Sequence, residues 1–126
     1  MPEAKVEMRF PHGRMILRPG VLAGIIARTV DEMEGVKLWQ PKGLMGVLSG
    51  ESGVELDSPE PGSISAHVKI AVMYGYPVHE LAQGVQQAVR EALEGLAGVS
   101  VREIHVYVQE VFLPELGVEG GENGPA

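Results

Sequence analysis

From Ile64 to Tyr74 the chain alternates strictly. Ile64, Ala66, Val68, Ile70, Val72 and Tyr74 fall on one side, and Ser65, His67, Lys69, Ala71 and Met73 on the other. A period of two predicts a strand whose even-numbered residues face a core. Upstream, VELD and the turn residues SPEPGS make it the second arm of a hairpin. Downstream the period changes to that of a helix opened by Pro77. Val78, Leu81, Ala82, Val85, Ala88, Val89, Ala92, Leu93 and Leu96 share one stripe, and Gly98 ends it. The run SVREIHVYVQEVF then predicts a last strand with Ile104, Val106 and Val108 inward.

The first half is patterned similarly. GRMILRP predicts a short strand, and Pro19-Gly20 opens a helix with Leu22, Ile25, Ile26, Thr29, Val30 and Met33 on one face. Gly35 suits a left-handed helix end, with Val36 starting the next strand. Residues 37–52, rich in glycine, are read as a strand, a loop and another strand. Residues 1–12 and 113–126 are read as tails, the second acidic, flexible and rich in Gly and Pro, which leaves one domain over 13–112. The order strand, helix, strands, helix, strand predicts an α+β two-layer sandwich: a mixed sheet with two helices on one face, its last strand parallel to strand 64–74. The other face would then carry His67, Lys69, Ala71 and Met73 beside Glu103, His105 and Tyr107, a half-apolar surface suited to a partner.

Composition narrows the chemistry. A chain of 126 residues is long enough to bury a core without staples. Without cysteine there is no disulfide framework, thiolate nucleophile or Cys-based metal site. The net charge of −7 and the lack of a basic cluster disfavour nucleic acid, whose binding rests on neutralised phosphates. No stretch is long and apolar enough for a membrane span, and neither terminus reads as a leader or lipid anchor, so a cytoplasmic protein without direct membrane insertion is expected.

Individual motifs add little catalysis. Of His12, His67, His79 and His105, only His67 and His105 could meet across neighbouring strands, with Glu103 close by. Without a third convergent ligand they read as solvated strand histidines, and no metal or cofactor is expected. His79 belongs to the first turn of the second long helix, and Gln83, Gln86, Gln87, Arg90 and Glu94 to its outward side. Gly43-Leu44-Met45-Gly46 has the GxxG spacing of a nucleic-acid clamp, but reads as a glycine-rich turn between strands. Gly95 to Gly98 closes a helix instead of opening one, so it is no phosphate loop. No serine sits in a GxSxG nucleophile elbow. Trp39, Tyr74, Tyr76 and Tyr107 read as core or rim anchors.

Taken together, Glu34-Gly35-Val36, the strand ending Tyr74-Gly75, VHELAQGVQQAVREALEGLAG and VREIHVYVQEV resemble the alkaline shock protein family of bacterial envelope stress-response proteins. The resemblance covers residues 13–112, and Gly35, Tyr74, Gly75, Pro77 and Gly98 mark a fold, not a reaction. It implies a non-enzymatic scaffold or adaptor that self-associates and works near the membrane through a membrane-anchored protein partner. Relatives beside kinase-like proteins imply the rival role of accessory subunit to a lipid or glycerol kinase-like enzyme. The expected interaction surface comprises His67, Lys69, Met73, Glu103, His105 and Tyr107 on the sheet, with Gln83, Gln87 and Arg90 on the helix.

Overall fold

The computed structural model describes residues 5–50 and 52–114. Its centre is the alternating strand, here β5 (Ser63–Met73), with the side chains of Ile64, Ala66, Val68, Ile70 and Val72 fully buried. Along one edge of β5 runs β6 (Ser100–Phe112), parallel to it over its whole length. The opposite edge is shared end to end by β3 (Val36–Leu38) and β4 (Val54–Asp57), both antiparallel. Where they meet, Trp39 N–H donates to the Lys69 carbonyl and Lys69 N–H to that of Gly53, so the ladder continues across the gap.

Two helices cover one face of this mixed sheet. Helix α1 (Pro19–Asp31) buries Leu22, Ile26 and Val30, and α3 (Val78–Ala92) buries Val85 and Val89; all five join the β5 side chains in one core. The α+β two-layer arrangement is therefore present, as the order of periodicities implies. Pro19 lies in the first turn of α1 and Pro77 caps α3, positions where a missing N–H removes no helical bond. Gly35 takes φ +83 in the turn between α1 and β3, after the helix has already ended at Asp31.

Several expectations are corrected. Val6–Phe10 is not part of a tail but strand β1, paired antiparallel with β2 (Gly13–Leu17) in a separate hairpin. Val6 is fully buried and Met8 and Leu17 pack against the core, so the hairpin closes an end of it. Between β3 and β4 the chain forms a short helix, α2 (Gly43–Ser49), where a loop and strand were expected. Gly43-Leu44-Met45-Gly46 thus lies in a helix and not in a turn between strands, and Leu44, Met45 and Leu48 stand out from it exposed.

The buried faces also stop earlier than simple periodicity implies. Tyr74 is 68 % exposed, because strand pairing ends at Met73 and Gly75 (φ +106) turns the chain. Val78, in the first turn of α3, is exposed as well. After Ala92 the helix widens into a π turn, Leu93–Ala97, which keeps Leu93 and Ala97 inside and swings Leu96 out to 77 % exposure. Val108 lies opposite Ile70 yet is 40 % exposed, since β6 is an edge strand with an irregular residue, Gln109, next to it. Residues 115–126, expected to form most of the acidic tail, lie outside the described residues.

Candidate interaction surface

The face of the sheet away from the helices is laid out by register. Crossing from the β3/β4 edge to β6, successive rows bring together Asp57, Ser65 and Glu103; Glu55, His67 and His105; Lys69 and Tyr107; Lys37, Ala71 and Glu110; and Met73 with Phe112. The alternation of β5 places these side chains on the side opposite the core. Carboxylates and histidines gather at one end and Met73, Tyr107 and Phe112 towards the other, with Trp39 beside Lys69.

At the polar end, His67 is held on both sides. Its Nε2 lies 3.1 Å from Asp57 Oδ2 and its Nδ1 2.9 Å from the Tyr107 hydroxyl. A carboxylate can only accept, so in the neutral ring Nε2–H donates to Asp57 and Tyr107 O–H donates to Nδ1. The His105 ring stacks on that of His67 with centroids 5.0 Å apart, and its Nε2 sits 2.9 Å from Glu103 Oε1. This Tyr–His–Asp relay of hydrogen bonds fixes the orientation of the His67 ring on the sheet surface. Among the described residues, no group of three or more His, Asp or Glu is placed to hold a metal ion. His12, in the β1–β2 turn, and His79, on α3, stand apart from the pair.

Further along, the Lys69 side chain is only 18 % exposed, and its ammonium lies 3.8 Å from Glu55 and over the Trp39 ring. Lys37 sits over the Phe112 ring at 4.3 Å. These cation–π contacts keep two aromatic rings at the surface without leaving them fully wet. Part of the face is bridged by the chain itself: Lys42 reaches across to Glu110, Nζ to Oε2 3.2 Å, and the buried Ala71 lines a cavity of about 310 Å³ together with residues 37–42 and Glu110. Sequence reasoning missed this strap and missed Trp39, Lys37 and Phe112 as members of the face. The pairing of Val36–Leu38 with β5, needed to place them, is a non-local fact.

The helix residues expected at the surface form a second feature. Gln83, Gln86, Gln87 and Arg90 of α3 face Glu103, Ile104 and His105 of β6 across an open groove of about 520 Å³. Gln86 Nε2 donates to the Ile104 carbonyl at 2.9 Å and Arg90 Nη1 to the Val101 carbonyl at 3.2 Å, so α3 caps part of the β6 edge. The groove meets the sheet face at Glu103 and His105. Gln83, Gln87 and Arg90 thus adjoin Glu103 and His105, whereas Lys69 and Met73 lie further along the sheet.

The fold marks behave as joints. Gly98 adopts the left-handed conformation that ends the π turn. Tyr76 O–H donates to Glu34 at 2.8 Å, and this bond holds the phenol above its ordinary pKa of 10.0.

Fold and surface together define a small α+β domain with a sheet covered by helices on one side. The chain belongs to the alkaline shock protein 23 family, whose description is cell envelope-related function and whose pattern it matches over residues 7–113. A Streptococcus pyogenes protein, Spy1535, is 26 % identical over 102 residues, 79 % of each chain. A Bacillus subtilis protein, YqhY, is 30 % identical over 91 residues, 70 % of this chain and 67 % of that one. Among solved structures, two of MamM CTD are each 16 % identical with TM-score 0.47, covering 72 % and 77 % of this chain and 95 % of theirs, a loose likeness of shape.

Proposed function

We propose that the protein is a non-enzymatic scaffold or adaptor of the cell envelope that docks a protein partner on its uncovered sheet face. The observation that carries this reading is the one-sided sheet: α1 and α3 bury one face, while the other presents Trp39, Met73, Tyr107 and Phe112 next to a carboxylate–histidine end. Aromatic and Met side chains are what protein interfaces enrich relative to the rest of a protein surface. The family's envelope-related description supports the setting. Among the described residues no helix is long and apolar enough to cross a membrane, so contact with the envelope in this reading runs through a membrane-anchored partner.

The reading gives the Tyr107–His67–Asp57 relay a positioning role, fixing the polar end of the surface. Site-specific photo-crosslinking in living cells tests it. A photoreactive residue in place of Met73 should give a discrete adduct with an envelope protein, and the same residue in place of Arg28, on the exposed side of α1, should not. Equal adducts at both positions, or none at Met73, would remove the sheet face as the docking surface.

A further inference from the structure

Among the described residues, strand β6 is paired on one side only, along β5. The carbonyls of Val101 and Ile104 point away from β5, because Arg90 and Gln86 donate to them from α3. From Ile104 to Val108 the register with β5 runs without interruption. Strand alternation therefore turns the N–H and C=O groups of Val106 and Val108 outward as well. No hydrogen bond reaches these groups among the described residues. Around them Tyr107 is 42 % exposed, and Val108 and Val111 are exposed too. A strand edge with free backbone groups and apolar side chains is a template for another strand.

We infer that the occupant is β6 of a second copy, lying antiparallel about a two-fold axis at Tyr107. The free stretch selects this register. On its N-terminal side the edge is already capped at Ile104, and past Val108 the irregular residue Gln109 breaks the pattern. What remains is symmetric about Tyr107. Val106 then exchanges both backbone bonds with Val108 of the second copy, and Val108 with its Val106. Tyr107 faces its own counterpart as a pair without hydrogen bonds, and His105 lies opposite Gln109, where the irregularity ends the pairing. The paired stretch, Val106 to Val108, carries no charge, so no like charges face each other within it. Moving the axis to Val106 would drive Val108 against the capped Ile104, and moving it to Val108 would drive Val106 past the break.

The pairing would join two four-stranded sheets into one, with both uncovered faces on the same side. It rests on the reading of this chain as an interaction protein and extends it, doubling the docking surface. Self-association becomes a consequence of the edge, separate from partner binding on the face.

The chain has no native cysteine, so single cysteines report register cleanly. Residues facing each other as a pair without hydrogen bonds have Cα atoms about 4.5 Å apart, within the range a disulfide spans. On oxidation, Tyr107→Cys should form a covalent dimer at least about tenfold faster than His105→Cys, Gln109→Cys or a surface control, Glu80→Cys. A mixture of His105→Cys and Gln109→Cys should crosslink as a heterodimer. Val108→Pro removes one outward N–H at an edge position where a proline costs the single copy little. In sedimentation velocity it should shift the protein from dimer to monomer with an unchanged circular dichroism spectrum. If Tyr107→Cys crosslinks no faster than Glu80→Cys, or the parent sediments only as a monomer, the inference fails, whatever the photo-crosslinking at Met73 shows. The cysteine series decides it even if the proline variant does not fold.

Discussion

At the scale of single residues, the joint between β5 and α3 shows how local chemistry fixes a turn. Tyr74 and Tyr76 are two positions apart and have opposite fates. Tyr74 stands in solvent, while Tyr76 lies against Gly35 and donates to Glu34, tying the end of α1 to the start of α3. A Cβ on Gly35 would meet the Tyr76 ring at 2.9 Å and would sit at φ +83. Gly35→Ala is therefore expected to destabilise the fold by about 1–3 kcal/mol in denaturant unfolding. The Tyr76–Glu34 bond makes a directional prediction. A phenol whose pKa is raised on folding contributes stability that is present below the ordinary value of 10.0 and disappears as pH rises through the raised value. The difference in unfolding midpoint between parent and Tyr76→Phe should be present at neutral pH and close in alkali. The Glu7–Arg14 pair in the hairpin predicts the reverse: the Arg14 hydrogen bond holds the Glu7 carboxyl below its ordinary 4.5, so the stability lost in Glu7→Gln should vanish as pH falls through that lowered value.

At the scale of elements, α3 and β5 were legible because each repeats one period over many residues. Leu93 shows the strength of that signal: it stays buried even where the helix widens. Leu93→Ala should cost about 2–5 kcal/mol, read as a lower midpoint with an unchanged slope in urea. Helix α2 was not legible, since a seven-residue segment with two glycines, GLMGVLS, carries too few repeats to separate a helix from a loop. The β1–β2 hairpin could have been found. Val6, Met8 and Phe10 alternate with Glu7 and Arg9, and Pro11-His12-Gly13 is a turn signal between two such runs. It went unread because the segment is short and half charged. Deleting residues 1–12 should lower the unfolding temperature, because Val6 and Met8 cover the core.

At the scale of the whole molecule, a sheet with helices on one side was legible from the order of periodicities, and the strand register places His67, Lys69, Met73, Glu103, His105 and Tyr107 on the side away from the helices. Its limits could not be read, because Trp39, Lys37 and the Lys42–Glu110 strap reach the face through pairings distant in sequence. The alternating signal also could not show that β6 would be an edge, a property of topology and not of periodicity. The most direct measurement of the central claim is the share of the protein that sediments with envelope membranes when cells of the source organism are fractionated, compared between parent, Met73→Glu and Arg28→Glu, with folding checked by circular dichroism. The account predicts that Met73→Glu leaves the envelope fraction while Arg28→Glu stays with it. Retention of a folded Met73→Glu at the parent's level would contradict it.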